Sequence, residues 1–450
     1  MPKRKKKAKN KKIPRDSKVY EQLASEYVVP ATPLLDRAAE TARKLYNSGL
    51  YVLRQSLFKN KGILFYEDLN RIFKKKRDQR ESMLYAQMPT VKSAQQTLRA
   101  LCDTWKGWSN ALKSYKAAPQ TFTGRPRLPK YLRDRRHTFY VTNQDARIDK
   151  NGVLVIHSLD FKLKLMPGIQ KINRVTFKPL VNGYKVTVAV VQPEDRQKPY
   201  LPDNGRYVGI DPGVDNAFAC VSNTGVEPML INGRALKSVN QYYNKERARL
   251  KHLQARYHQL ESTIQTKQGP KKVYAETKTM KRITDWRNRK IYEFAHKASK
   301  RIVEYALSCE ANTIVIGKNK SWKRSANMGK KNNQNFIGIP HKTIIDMITY
   351  KANLEGITVI WTNESYTSQT SALDGEKPCW ENGNKSRLKQ GKSPAARRIR
   401  RGLFRSNKGL LVNADVNGAM QIIRKVFPSV SFDGGIADAV LHPFKWSPLI

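Results

Sequence analysis

The sequence predicts a chain of three parts: a helical N-terminal lobe, a small antiparallel β domain and a C-terminal α/β domain, in short α/β plus α plus β. Three patterns carry this expectation. Apolar residues recur at helical spacing from Pro33 to about Ala118; short alternating runs set off by Asn-Gly turns fill 138–192; beyond 204, strands and helices alternate. At 450 residues the chain exceeds what one hydrophobic core organises, and its 39% apolar content suffices for two or three.

In the first part, Leu34, Leu35, Ala38, Ala42, Leu45 and Tyr46 mark one stripe, continued by Tyr51, Leu53 and Leu57. This reads as a bundle of about four helices over 30–120. The stretch TGRPRLPKYLRDRR breaks the pattern, so a new domain is expected at 121–203. Its segments FYVTN, GVLVIHS, KLKLM, INRVTFKPLV and GYKVTVAVVQ suggest a small barrel or curled sheet, with turns at Asn151-Gly152 and Asn182-Gly183. A Pro-rich linker leads into 204–428, where YVGIDPG and FACVSN predict a hairpin. There 233–309 predicts two long basic helices broken near Gln268-Gly269-Pro270, followed by the buried strand TIVIG, a helix through Tyr350, the strand ITVIWTNES, an irregular basic stretch and a last helix from about Asn413. Residues 1–29 are expected to be a basic arm and 429–450 a tail.

Charge narrows the function classes. Lys and Arg outnumber Asp and Glu by 85 to 36, a formal charge of +49 spread over every part. Such self-repulsion is relieved by a polyanion, which makes nucleic acid the first reading, ahead of a ribosomal-type protein or a membrane-surface binder. No apolar run approaches the roughly 20 residues of a membrane helix. The start MPKRKKKAKNKK is followed by no apolar signal core, so no secretory leader is expected, and the cysteine pattern fits a reducing cytoplasm. Cys102, Cys220, Cys309 and Cys379 form no CxxC pair, and the histidines show no HExxH spacing.

Two acids stand where phosphodiester chemistry needs them. Two-metal hydrolysis requires carboxylates from distant positions converging on one spot, so the acids belong at element ends. Asp211 ends the apolar strand 207–210 ahead of Pro212-Gly213. It is either a metal ligand or a turn cap. Asp415 opens the final helix in NADVNGAM, where small residues would let that helix press on a sheet; alone, an acid in a first turn is ordinary dipole placement.

The segments GIDPGVDNAFACVSNTG at 209–225, ESYTSQTS at 364–371 and NADVNGAMQII at 413–423 resemble the RuvC-type nuclease half of TnpB proteins and their compact type V CRISPR relatives. IVIGKNKSWKR, NNQNFIGIPHKTIIDMITYKA and RRIRRGLFRS resemble one TnpB subgroup, and the likeness covers about 206–428. It implies an RNase H-like (RuvC) domain that binds Mg²⁺ through Asp211 and Asp415 and cuts DNA chosen by a guide RNA. It also implies that 30–120 is a recognition lobe, 121–203 a β-barrel wedge domain and 366–410 a target-strand loop. Two departures stand out. The family's middle glutamate ends the strand Thr313–Ile316, but here that place is Gly317; Glu364, just past the next apolar strand, is the expected replacement, against a merely loop-bonding role or an inactive, DNA-binding protein. Glu310 precedes its strand and is a weaker candidate. The family's zinc ribbon has lost its first cysteine to Ser371 and keeps only Cys379, too few for a four-coordinate site, so no zinc is expected. A strand-transferase reading lacks the paired histidines of the HUH motif.

Contacts to guide RNA and target DNA are expected from two basic clusters. One is Arg125, Arg127, Lys130 and 133–136; the other is Arg397, Arg398, Arg400, Arg401 and Arg405. Either could be a solvated charge run. Lys318, Trp322 and Lys323 combine charge with an aromatic face for stacking, unless Trp322 is core.

Overall fold

The computed structural model describes residues 22–448 apart from 60–61, 63, 170, 192–197, 258–259, 267–268, 275, 319–333, 335–337, 366, 368–369, 375–397, 401, 407–408, 433–439 and 441. The chain divides into two compact units, Met1–Glu194 and Asp195–Ile450. Among the described residues, no helix is long and apolar enough to cross a membrane.

The first unit begins with strand β1 (Gln22–Val29), followed by helices α1 (Pro33–Phe58), α2 (Tyr66–Asp78) and α3 (Val91–Ala117). The sequence suggested about four helices here; among the described residues three α-helices are present, and the chain between α2 and α3 is turns and bends. Pro33 at the first position and Thr32, whose side chain accepts from Leu35 N at 3.3 Å, start α1. Thr90 starts α3 in the same way. A Cβ at Gly49 would lie 2.7 Å from Leu101 Cδ2, so the bare glycine permits the close crossing of α1 and α3.

Strands β2 (Phe139–Thr142), β3 (Arg147–Ile148), β4 (Val153–Ile156), β5 (Phe161–Lys164), β6 (Ile172–Leu180) and β7 (Gly183–Val191) complete this unit. They pair as a four-stranded sheet, β1-β7-β6-β2, and a three-stranded sheet, β3-β4-β5. The expected arm 1–29 is thereby corrected at its end: 22–29 is a strand antiparallel to β7 along its whole length, because QLASEYVV meets an edge that needs partners. The expected boundary at 120 is not a break in packing either. Leu45, Leu98 and Trp105 of the helices share one buried cluster with Phe139, Phe177 and Tyr184 of the strands.

In the second unit, β8 (Tyr207–Pro212), β9 (Asn216–Ser222) and β10 (Met229–Asn232) form an antiparallel meander. Helices α4 (Arg234–Tyr257) and α5 (Lys278–Ser308) follow, and the expected break between them is a hairpin of β11 (Leu260–Thr266) and β12 (Gly269–Tyr274). Then come β13 (Thr313–Gly317), α6 (His341–Leu354) and β14 (Thr358–Thr362). A small sheet of β15 (Arg398–Arg400), β16 (Leu403–Arg405) and β17 (Leu411–Asn413) runs into α7 (Ala414–Val426). The last strand, β18 (Phe444–Trp446), lies in the stretch expected to be a tail; it pairs parallel to β10.

The main sheet has the order β14-β13-β8-β9-β10-β18, with β14, β13 and β8 parallel. Period-2 alternation sends its residues to two cores. Val208, Ile210, Phe218 and Ile316 pack with α5 and α6, whereas Tyr207, Ala219, Val221 and Leu230 pack with Val416, Ala419, Met420 and Ile423 of α7.

Candidate active site

Helix α7 lies unusually close to the sheet because small residues face each other. A Cβ on Gly209 of β8 would strike the carbonyl of Ala419 and approach Ile423 Cγ1 to 2.7 Å. Two residues along the same strand face, Asp211 reaches the helix at Gly418, whose added Cβ would lie 2.6 Å from Asp211 Oδ2. The carboxylate therefore rests on bare backbone. Asn413 caps α7, accepting from Asp415 N at 3.0 Å and Val416 N at 3.3 Å, and so fixes Asp415 in the first turn. Asp415 Oδ2 in turn accepts from Asn216 Nδ2 at 2.8 Å.

Register brings in the third acid. Ile316 pairs with Ile210, so the next residue, Gly317, lies abreast of Asp211, and both point to the α7 face. Gly317 is also paired with Thr362 in β14. Two residues beyond that strand, Glu364 lies over the glycine: a Cβ there would be 3.1 Å from Glu364 Cβ, 3.2 Å from Glu364 Oε2 and 2.6 Å from Ile422 Cδ1. Asp415, Gly418 and Ile422 follow the i, i+3, i+7 stripe of one helix face. The carboxyls of Asp415, Asp211 and Glu364 are thus strung along that stripe. Burial pushes the Glu364 carboxyl up to about 7, opposed by the nearby Lys425 ammonium. Glu310, by contrast, pairs with Arg206 ahead of β13, at the other end of the strands.

The loop carrying Glu364 is fastened to the same helix by a polar ladder at i, i+4 and i+8. Asn417 Nδ2 donates to Thr370 O at 2.9 Å and its Oδ1 accepts from Ala372 N at 3.0 Å. Gln421 Nε2 donates to Thr370 O and Thr370 Oγ1, each at 3.1 Å, and Lys425 Nζ donates to Ser365 O at 3.0 Å. Asn417 and Gln421 are 1% and 0% exposed, so these amides depend on the loop for their partners. Sequence reading missed them because a polar residue on a buried stripe looks like a flaw until its partner is seen.

The donor set is all carboxylate oxygen, which suits a hard cation such as Mg²⁺. Among the described residues, however, no three His, Cys, Asp or Glu side chains already form a metal-holding group. The acids are aligned, not closed on one point, and a divalent ion would have to draw them together.

Of the expected nucleic-acid contacts, Arg125, Arg127, Lys130, Arg400 and Arg405 are exposed. Arg398 lies in β15. Trp322, Lys323 and Arg401 fall outside the described residues, as does Cys379. Arg136 of the first cluster is engaged internally, donating to Asp36 Oδ1 at 3.1 Å and to Leu180 O at 2.7 Å. Lys318 donates its backbone N–H to Thr362 O at 2.7 Å and sets its ammonium 3.9 Å from the ring centre of Trp361. Trp361 is 49% exposed on the edge strand, an aromatic surface that its apolar neighbours concealed in the sequence.

Residues 185–323 match the family model OrfB_IS605, described as a probable transposase, and 341–422 match the Cas12f1-like TNB domain. Both matched segments lie largely in the C-terminal unit. The first match takes in Asp211 and Gly317, the second Glu364 and Asp415. No curated protein matches the chain in sequence. Among solved structures, a Cas12f1–sgRNA–target DNA complex is 15% identical, over 86% of this chain and 81% of that one, with a TM-score of 0.47. CasPhi-2 (Cas12j) bound to crRNA and phosphorothioate-DNA is 11% identical over 91% and 92%, with a TM-score of 0.35.

Proposed function

We propose that the chain is an RNA-guided DNA endonuclease that cuts phosphodiester bonds in one RuvC-type, RNase H-like site built from Asp211, Glu364 and Asp415. One observation carries the reading: the Glu364 carboxyl occupies the space that a side chain at Gly317 would fill, abreast of Asp211. An acid missing from its strand end is thereby replaced from the neighbouring strand.

The three carboxylates would hold Mg²⁺, which when bound supplies the charge that activates water and stabilises the leaving oxygen. The chain's own part is positional. Asn413 and Asn216 fix Asp415, the bare Gly418 seats Asp211, and the ladder on α7 holds the loop of Glu364. With its carboxyl pushed up to about 7, Glu364 gains from any cation that replaces its proton.

In this reading, guide RNA and its DNA partner are the polyanions that the +49 charge requires. Residues 30–120 are the recognition lobe, 121–203 the wedge domain and 366–410 the target-strand loop. The protein works with nucleic acid in a reducing cytoplasm.

The test begins with RNA that copurifies with the full chain, extracted and sequenced to define the target. Plasmid carrying that target is then incubated with wild type and with Glu364→Ala, with and without Mg²⁺. Cutting by wild type alone, and only with Mg²⁺, is expected. Retained target binding without cutting by wild type would instead favour a nuclease-inactive DNA-binding protein.

A further inference from the structure

Beside Asp415 the second unit contains a cavity of about 450 Å³, within the ~300–1,000 Å³ of small-ligand sites. It is lined by the acids Asp415 and Asp215, by Asn216, by the cations Arg234 and Lys445, and by Gly213 and Gly402.

The wall is braced from several directions. His341, 0% exposed, holds Gly213 O at 2.9 Å, and Asp215 is paired with Lys237 at 2.9 Å. Asn232 accepts from Arg234 N at 3.0 Å and donates to Ser447 Oγ at 2.9 Å, tying the start of α4 to the end of β18. Lys445 pairs with Leu230, a residue of the α7-side core, while the adjacent Trp446 packs against the opposite core. Lys445 therefore stands on the sheet face that carries Asp415. Among the described residues, neither Arg234 nor Lys445 is ion-paired with an acid, whereas Lys237 is occupied by Asp215.

We infer that this cavity is a phosphate subsite for the DNA strand being cut, in which Arg234 and Lys445 hold a phosphate neighbouring the one at Asp415. The inference rests on the nuclease reading above and adds two positioning residues to it. With Asp215 already neutralised by Lys237, the two unpaired cations beside Asp415 suit a phosphodiester chain whose scissile group meets the acids while the next is neutralised. A volume of about 450 Å³ is on the scale of a single nucleotide and not of a duplex, which suits a strand after the helix has been opened.

The test uses the full chain with its copurified RNA, comparing wild type with Arg234→Gln, Lys445→Gln and the double variant. Binding of a single-stranded target oligonucleotide is titrated against salt, and each lost phosphate contact should lower the log-log slope by about 1. Cleavage is then followed on strands bearing one uncharged methylphosphonate at successive positions beside the cut. At one position the neutral linkage should slow wild type several-fold and leave the double variant, already slowed through KM, unchanged. Equal effects on both proteins at every position, with an unaltered salt slope, would overturn the subsite. If wild type cuts nothing, the nuclease reading fails, while the salt titration still decides whether these two residues hold a strand.

Discussion

The carboxyl of Glu364 sits where a side chain on Gly317 would have to go, 3.2 Å separating Oε2 from a Cβ built on the glycine. The two side chains would therefore compete for one space. Gly317→Glu alone should abolish cutting, since its side chain collides with Glu364 and with Ile422, and core overpacking costs roughly 1–3 kcal/mol. The exchange Gly317→Glu with Glu364→Ala should restore part of the activity that Glu364→Ala removes, measured as plasmid cleavage at saturating Mg²⁺. No recovery beyond Glu364→Ala would argue against a shared carboxyl position.

Burial holds the Glu364 carboxyl at about 7 without metal, so the Mg²⁺ concentration for half-maximal single-turnover cleavage should fall as pH increases through that value and the carboxylate forms. Lys425 opposes the effect, and Lys425→Met should move the midpoint to higher pH. Stability follows with the opposite sign. A carboxyl raised in the folded state contributes most at pH below its unfolded value and loses that contribution as pH climbs through about 7. In EDTA, Glu364→Gln should match wild type at pH 4 and exceed it by roughly 1–3 kcal/mol at pH 8, seen in denaturant unfolding.

The amide ladder offers a separate handle. Gln421→Leu removes both bonds to Thr370 without touching an acid. The expected outcome is a higher Mg²⁺ concentration for half-maximal cutting, with target binding unchanged and stability lowered by roughly 1–3 kcal/mol for the stranded polar groups. Excess Mg²⁺ should recover much of the rate. An unchanged Mg²⁺ requirement would leave the ladder with a purely structural task.

Two glycines separate packing from chemistry. Gly418→Ala improves helix propensity by roughly 1 kcal/mol but puts a methyl 2.6 Å from Asp211 Oδ2, so cutting should fall at least tenfold with little loss of Tm. Gly209→Ala meets the backbone carbonyl of Ala419, which has no room to yield. That variant should lose stability first, by roughly 1–3 kcal/mol, as read from thermal unfolding.

By itself the amino-acid sequence determined what local periodicity and composition control. The helical stripe of α1, the apolar strands ending at Asp211 and Gly317, the small residues around Asp415 and the +49 charge are all visible without coordinates. Even the parallel neighbourhood of β13 and β14 follows from two short apolar runs separated by a helix.

Tertiary structure decided which distant groups meet. That β1 closes against β7, that β18 carries Lys445 to the Asp415 face, and that Asn417 and Gln421 find their partners at Thr370 and Ala372 depends on pairings across long stretches of chain. Periodicity reports which face a residue occupies but not what lies opposite. The geometry between Glu364 and Gly317 arises only when register sets Gly317 abreast of Asp211 and the loop after β14 folds back over it.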